Sequence, residues 1–126
     1  MAVKTLTQQR AAAALAAIET VRRQRWEADY KRQAKGLPAM LLASGLAPTL
    51  AFLWSKGGAH AELAAHISSW ILRSVFGKDG DGSVERCLRA LAEADSAGYR
   101  RAEGEALEIA GWLKRLADAY LEGGES

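Results

Sequence analysis

The residues that could hold a metal ion are few and badly spaced for that purpose. The sequence has two histidines, His60 and His66, and a separation of six residues places them about 240° apart around a helix. They cannot share one metal ion, and the HExxH spacing of zinc hydrolases does not occur. We therefore interpret both as surface or hydrogen-bonded histidines, and we expect no metal site and no cofactor.

Other residues that could carry chemistry lack the partners that the chemistry needs. Cys87 falls among Val84, Leu88 and Leu91 on the apolar face of a predicted helix, with no charge cluster that would stabilise a thiolate. The run GKDGDG at residues 77–82 leads into neither the glycine and glutamate of an EF-hand nor the Gly-Lys-Ser/Thr ending of a phosphate loop. We interpret it as a flexible surface loop, and we predict no catalytic residue and no enzyme activity.

The distribution of charge is the feature that points to a function. The 126 residues carry a net charge of +2, but residues 1–35 hold eight Lys and Arg against three Asp and Glu, whereas residues 83–126 hold six against nine. A basic end and an acidic end suit either a polyanion or head-to-tail association with another copy. The basic end contains six cations within fourteen residues: Arg22, Arg23, Arg25, Lys31, Arg32 and Lys35.

We predict that these six cations contact the phosphates of a nucleic acid without reading the bases. Lys31 and Lys35 lie four residues apart on one helix face, and such a like-charge pair destabilises a helix by about 0.2–0.5 kcal/mol unless an anion offsets it. Two other interpretations stay open. The arginine stems cover the edge of the core while their charged ends stay in water, or the basic face docks on an acidic protein surface.

Apolar residues recur at helical spacing along the chain, and no segment alternates with the period of a strand. We predict an all-α, compact single-domain helical bundle of about six helices over residues 1–126, with a frayed tail at residues 122–126. The sequence shows a lone cysteine, no apolar signal segment near its start and no unbroken apolar stretch of membrane-spanning length. These features favour a cytoplasmic protein without a membrane partner.

The basic residues are expected at the junction of the first two helices. The first helix should begin near Thr5 or Thr7 and run to about Trp26. Its buried stripe is expected at Ala11, Leu15 and Ile18 and to continue into Arg22 and Arg25. The second helix should cover roughly residues 29–35 and end before Gly36 and Pro38, because proline has no amide to donate to the preceding turn.

The longest apolar segment, LPAMLLASGLAPTLAFLWSK at residues 37–56, is expected to form two short buried helices. Gly45 suits the end of the first and Pro48 suits the first turn of the second. Three more helices are predicted: one over about residues 60–76, one capped by Asp81 or Ser83, and one capped by Ser96.

This apolar segment also carries a resemblance to a known family. Its landmarks are Leu37-Pro38-Ala39-Met40, Gly45-Leu46, Thr49-Leu50-Ala51-Phe52 and Ser55-Lys56, with Tyr99 and Glu105 upstream of Trp112-Leu113-Lys114-Arg115. Together with an alanine-rich first helix that ends in basic residues, the pattern resembles the small helical subunit of the type III-B CRISPR effector, the RNA-guided Cmr complex. The resemblance covers most of the chain, and we interpret the matched residues as core or turn positions.

The resemblance implies a non-catalytic small subunit that acts in antiviral defence. Such a subunit stacks in the inner filament of the complex, lines the channel that holds crRNA and target RNA, and contacts copies of itself and other Cmr subunits. The resemblance implies that the nucleic acid is RNA, so we predict that the six cations contact RNA phosphates, although the resemblance does not assign them individually. From the residues alone, the alternative is a helical protein–protein adaptor without nucleic-acid binding. A helix-turn-helix DNA-binding protein fits less well, because the helix after Gly45 has no charge before Lys56.

Overall fold

The computed structural model describes residues 3–123, which form six α-helices and, within that range, no strand. The helices are α1 (Leu6–Val21), α2 (Glu27–Ser44), α3 (Leu46–Lys56), α4 (Gly58–Ser74), α5 (Val84–Glu93) and α6 (Ser96–Tyr120). The longest helix, α6, packs along α1 and α2, and α4 packs against α2, α3 and α5. The prediction of an all-α bundle of about six helices is therefore confirmed. No helix in the described range is both long and apolar enough to cross a bilayer.

The buried apolar side chains of the six helices meet in one cluster. Burying one large apolar side chain contributes about 1.5–3 kcal/mol, so this cluster supplies most of the stabilisation that fixes the helices. Its largest fully buried members are Ile18, Tyr30, Leu37, Leu46, Leu50, Leu53, Leu63, Ile67, Ile71, Leu72, Ile109 and Leu113.

The first helix ends earlier than predicted. Thr5 caps it as expected, in a capping box with Gln8, but the helix stops at Val21 and residues 22–26 form a turn. Its buried stripe is Ala14, Ile18 and Val21, whereas Leu15 is 41% exposed. The predicted stripe was right for Ile18 and wrong for Leu15, because six alanines in one helix distinguish its faces poorly. Arg22 and Arg25 therefore lie beyond α1 and not on its face.

The second helix continues through the two residues that were predicted to end it. Gly36 and Pro38 both lie inside α2, so the prediction of a break there was wrong. Proline within a helix costs about 3 kcal/mol, but α2 buries one continuous stripe on both sides of it: Tyr30, Ala34, Leu37 and Leu41. Burial of four side chains outweighs the single lost hydrogen bond. The first of the two predicted short helices is thus the second half of α2.

The turn between α2 and α3 confirms the predicted roles of Gly45 and Pro48. Gly45 has a φ of +87°, a left-handed value that favours glycine, and Pro48 lies in the first turn of α3. Two α6 side chains satisfy the amides that open α3. The Leu46 amide donates to Glu103 Oε2 at 3.4 Å, and the Ala47 amide donates to the Tyr99 hydroxyl at 3.1 Å.

The remaining helix starts agree with the sequence to within one residue or two. Ser83 caps α5 as predicted, and Asp81 accepts from the Ser83 amide at 3.0 Å. Asp95 caps α6 in place of the predicted Ser96. In the loop at residues 77–82, the Gly80 carbonyl accepts from Ser69 Oγ at 2.6 Å. The flexibility of that loop and the single-domain organisation stay predictions, and residues 124–126 of the expected frayed tail lie outside the described range.

Candidate nucleic-acid interface

The six predicted RNA-binding cations lie on the α1–α2 turn and the adjoining part of α2, a region we name the basic turn. Arg22, Arg23 and Arg25 lie in the turn itself, and Lys31, Arg32 and Lys35 lie on α2. Five of the six are exposed, and Lys31 is half-buried. The structure thus places all six on the α1–α2 turn and the first half of α2, but it gives them three different environments.

Arg22 and Arg32 have acidic partners at the surface. Arg22 pairs with Glu19 at 3.2 Å and also lies 5.9 Å from the centre of the Tyr120 ring, and Arg32 pairs with Asp29 at 2.6 Å. Such exposed ion pairs contribute at most about 1 kcal/mol. A phosphate could therefore replace either carboxylate at little cost in stability.

Lys31 has a structural contact. Its Nζ atom donates to the backbone carbonyl of Leu121 at 3.0 Å, just beyond the end of α6. A cation at this position interacts favourably with the negative end of the helix dipole. Nearby, the Glu122 amide donates to Glu27 Oε2 at 2.9 Å. Lys31 therefore helps to hold the end of α6 on α2, which the charge pattern alone could not reveal.

The side chains of the other three cations, Arg23, Arg25 and Lys35, extend into solvent without a described partner. They are exposed, and within residues 3–123 their side chains have no hydrogen bond or ion pair with another described residue. Arg23 also has a φ of +68°, the one positive value at a described residue other than glycine. Its amide donates to Glu27 Oε1 at 3.0 Å. These three cations form the part of the basic turn that is available to an external anion.

A partly buried polar network joins α1, α2 and α4 next to the basic turn. His66 of α4 contacts the Tyr30 hydroxyl of α2 through Nδ1 at 2.7 Å and the Thr20 hydroxyl of α1 through Nε2 at 3.1 Å. Thr20 already donates its proton to the Ala17 carbonyl, so it accepts from Nε2–H, and Nδ1 accepts from Tyr30. Burial lowers the pKa of His66 to about 4. The interpretation of His66 as a hydrogen-bonded histidine is confirmed.

A second polar network joins α1, α4 and α6. The sequence analysis did not predict its contacts. Arg10 donates to both carboxylate oxygens of Glu105 at 2.6 and 2.8 Å, and the Trp70 indole donates to Glu105 Oε1 at 2.8 Å. The hydrogen bonds from Arg10 hold the pKa of Glu105 below its ordinary value. Glu105 was noted only as part of the family pattern, because a contact spanning 95 residues leaves no local signal.

The described residues show little that favours covalent or metal chemistry. Burial raises the pKa of the Cys87 thiol to about 11, so the sulfur is protonated at neutral pH. In residues 3–123, no three His, Cys, Asp or Glu side chains lie close enough to hold a metal ion. What the basic turn can do is bind an anion through charge and hydrogen bonds.

Comparison with known proteins identifies the family. Residues 6–120 match the family model described as CRISPR-associated protein (Cas_Cmr5). A Thermotoga maritima protein named CRISPR system Cmr subunit Cmr5 is 35% identical over 126 residues, which are 100% of this chain and 92% of that protein. A Thermus thermophilus protein of the same name is 30% identical over 95 residues, covering 75% of this chain and 76% of that protein. These names describe a subunit and do not name an enzyme.

A solved structure agrees with this result. The crystal structure of a CRISPR-associated Cmr5 family protein from Thermus thermophilus is similar to this chain with a TM-score of 0.79 and 28% identity. The match covers 94% of this chain and 100% of that one. The resemblance to the small Cmr subunit seen in the sequence is confirmed: the chain belongs to the CRISPR-associated Cas_Cmr5 family.

Proposed function

We propose that this chain is the non-catalytic small subunit of a type III-B Cmr ribonucleoprotein that acts in antiviral defence in the cytoplasm. It stacks with copies of itself in the inner filament, contacts other Cmr subunits, and touches crRNA and target RNA through the basic turn. Family membership over residues 6–120 and relatives named as Cmr subunits support the assignment to the complex.

The observation that carries the RNA contact is the group of three cations without a described partner. Arg23, Arg25 and Lys35 lie beside Arg22 and Arg32, whose surface ion pairs are weak. Five cations on one turn and the first half of the next helix, in a chain with a net charge of +2, make a local positive field that favours a polyanion. Phosphate contacts of this kind position the subunit on RNA of any sequence.

The contact predicts a definite salt dependence. Each phosphate neutralised on single-stranded RNA contributes about −0.7 to the slope of log K against log salt, so three contacts give a slope of about −2. Arg23, Arg25 and Lys35 should supply this slope because no internal partner has to be displaced. Lys31 should contribute little, since its ammonium group already binds the Leu121 carbonyl.

The test replaces these three cations by glutamine and titrates the purified chain with fluorescent single-stranded RNA at several salt concentrations. The triple variant R23Q/R25Q/K35Q should bind RNA on the order of tenfold more weakly at low salt and lose most of the salt slope. The matched control is R100Q/K114Q/R115Q, which removes three exposed cations of α6 that also lack a described ion pair. It should retain the affinity.

Equal affinity and slope in the two triple variants would overturn the RNA contact. If the basic-turn variant then failed to join the reassembled complex, the basic turn would dock on an acidic protein surface, and the chain would be an adaptor without nucleic-acid binding. Both variants should unfold at the same temperature as the unchanged chain, because none of the replaced side chains makes a described hydrogen bond.

A further inference from the structure

One side of α3 is apolar and faces solvent. Four residues turn toward the core: Leu46, Thr49, Leu50 and Leu53. At about 100° per residue, the exposed residues follow one another around the opposite side of the helix. We name this surface the α3 outer face: Trp54, Ala51, Ser55, Pro48 and Phe52, with Lys56 at its edge.

Two half-exposed aromatic rings dominate the α3 outer face. Phe52 is 44% exposed and Trp54 is 46% exposed. The one hydroxyl group on the face, Ser55 Oγ, donates to the Phe52 carbonyl at 2.7 Å, so its proton needs no other acceptor. The interpretation of the family-pattern residues as core or turn positions is wrong for those that are exposed: Ala39, Ala51, Phe52, Ser55, Lys56, Lys114 and Arg115.

The part of the sequence that carries the α3 outer face is sparse in charge. Residues 36–61 contain no Asp or Glu and one Lys, Lys56, whose Nζ atom lies 5.3 Å from the centre of the Phe52 ring. Protein–protein interfaces have this composition at their centre, with aromatic residues enriched and charged residues depleted. A nucleic-acid surface would instead need several cations to neutralise phosphates.

We infer that the α3 outer face docks on a different folded protein, a neighbouring subunit of the effector, through an apolar patch bordered by a carboxylate that pairs with Lys56. This inference rests on the proposed function for the existence of that neighbour. A copy of this chain fits less well, because pairing of two α3 outer faces would bring no carboxylate to Lys56 from residues 36–61, which contain no Asp or Glu. Within residues 3–123 and outside α3, the large exposed apolar side chains are scattered over four separate segments: Val3, Leu6, Leu15, Leu42 and Tyr120.

The test introduces a carboxylate at the middle of the face. Ala51→Glu places a charge among the apolar residues without removing a contact, and Ala39→Glu introduces the same charge at an exposed position of α2 as the matched control. The effector is co-expressed with its crRNA and purified through another subunit, and the amount of this chain is measured relative to the complex. We expect A51E to be reduced at least tenfold and A39E to be retained.

A second variant tests the charge at the edge. Lys56→Glu should reduce retention more than Lys56→Gln, because reversal places two carboxylates together whereas glutamine only removes the attraction. Circular dichroism and the unfolding temperature of each isolated variant establish that the helices are intact. Full retention of A51E and K56E would overturn the inference.

Two further results would also overturn it and would name the true occupant. If A51E changed only the self-association of the purified chain in sedimentation, the face would bind a copy. If A51E lowered RNA affinity as strongly as the basic-turn variant, the face would bind RNA. Failure of the proposed RNA contact is distinct, since it is measured with R23Q/R25Q/K35Q on free RNA and leaves the retention of A51E unaffected.

Discussion

The Nδ1 atom of His66 lies 2.7 Å from the hydroxyl oxygen of Tyr30, and in the neutral imidazole this nitrogen accepts the Tyr30 proton. A protonated ring would carry a hydrogen on Nδ1, so the buried Tyr30 hydroxyl would have to turn its proton away. Burial disfavours the charged imidazolium and lowers the pKa of His66 to about 4. Burial and the nearby Glu62 carboxylate raise the pKa of Tyr30.

The first prediction is a loss of stability in mild acid. Because the pKa of His66 is lower in the folded chain than its unfolded value of about 6.5, the unfolded state binds a proton first. The contribution of His66 to the free energy of unfolding should be fully present above pH 6.5. It should fall as the pH decreases toward 4, by up to about 3 kcal/mol. Urea unfolding at several pH values measures this change.

The two histidines provide the control for that measurement. His66→Gln should flatten the pH dependence between 6.5 and 4, at the cost of lower stability at pH 7. His60→Gln removes the other histidine without touching Tyr30 and should keep the acid loss. An unchanged profile in His66→Gln would assign the acid sensitivity to other groups.

The second prediction concerns the ion pair between α1 and α6. Arg10 and Glu105 side chains are only 15% and 13% exposed. Glu105→Ala would leave the Arg10 guanidinium and the Trp70 indole without their acceptor, and breaking such a pair costs about 3 kcal/mol. Chemical denaturation measures the loss. In the exposed Arg89–Glu85 pair, Glu85→Ala should cost less than about 1 kcal/mol, and equal costs would contradict the argument.

The third prediction separates stability from RNA binding at one residue. Arg23 has a φ of +68°, and a side chain held in this region costs about 1 kcal/mol or more. Arg23→Gly should therefore keep or raise the unfolding temperature while it removes about one contact from the salt slope for RNA. Arg25→Gly, in the same turn but without a positive φ, should lower the unfolding temperature. A destabilised Arg23→Gly would show that the side chain supports the turn.

The fourth prediction tests how α6 holds the start of α3. The Tyr99 hydroxyl accepts from the Ala47 amide at 3.1 Å, so Tyr99→Phe leaves that amide unpaired at a cost of about 1–2 kcal/mol. Tyr120→Phe is the control because its ring is 46% exposed, and it should change stability little. Hydrogen exchange at the Ala47 amide should accelerate in Tyr99→Phe alone.

The elements with local signals were predictable from the sequence. Thr5 and Ser83 cap their helices through side chains that accept from amides three residues later, and Gly45 and Pro48 act through their backbone conformations. Caps and turns of this kind depend on neighbouring residues only. Contacts between distant residues were not predictable in this way. The pair formed by Arg10 and Glu105 depends on the packing of α1 on α6, which no short window of sequence reports.

Two errors had one physical cause, which is the override of local preference by burial. Pro38 lies inside α2 because the helix buries Leu37 and Leu41 on either side. The chain turns after Val21 although Arg22 and Arg25 continue a helical spacing, because the turn lets Val21 of α1 and Tyr30 of α2 enter the same buried cluster. For the basic turn, the sequence located the charges but could not show that Lys31 binds the end of α6.

The contact between Lys31 and Leu121 spans 90 residues, and this separation has a consequence for folding. Lys31 emerges from the ribosome long before Leu121. The contact between them can therefore form only after the end of α6 has been synthesised. Long-range contacts of this kind raise the contact order and slow the final folding step. We therefore expect the region around Lys31 to gain protection from proteases late in folding, when the end of α6 packs on α2.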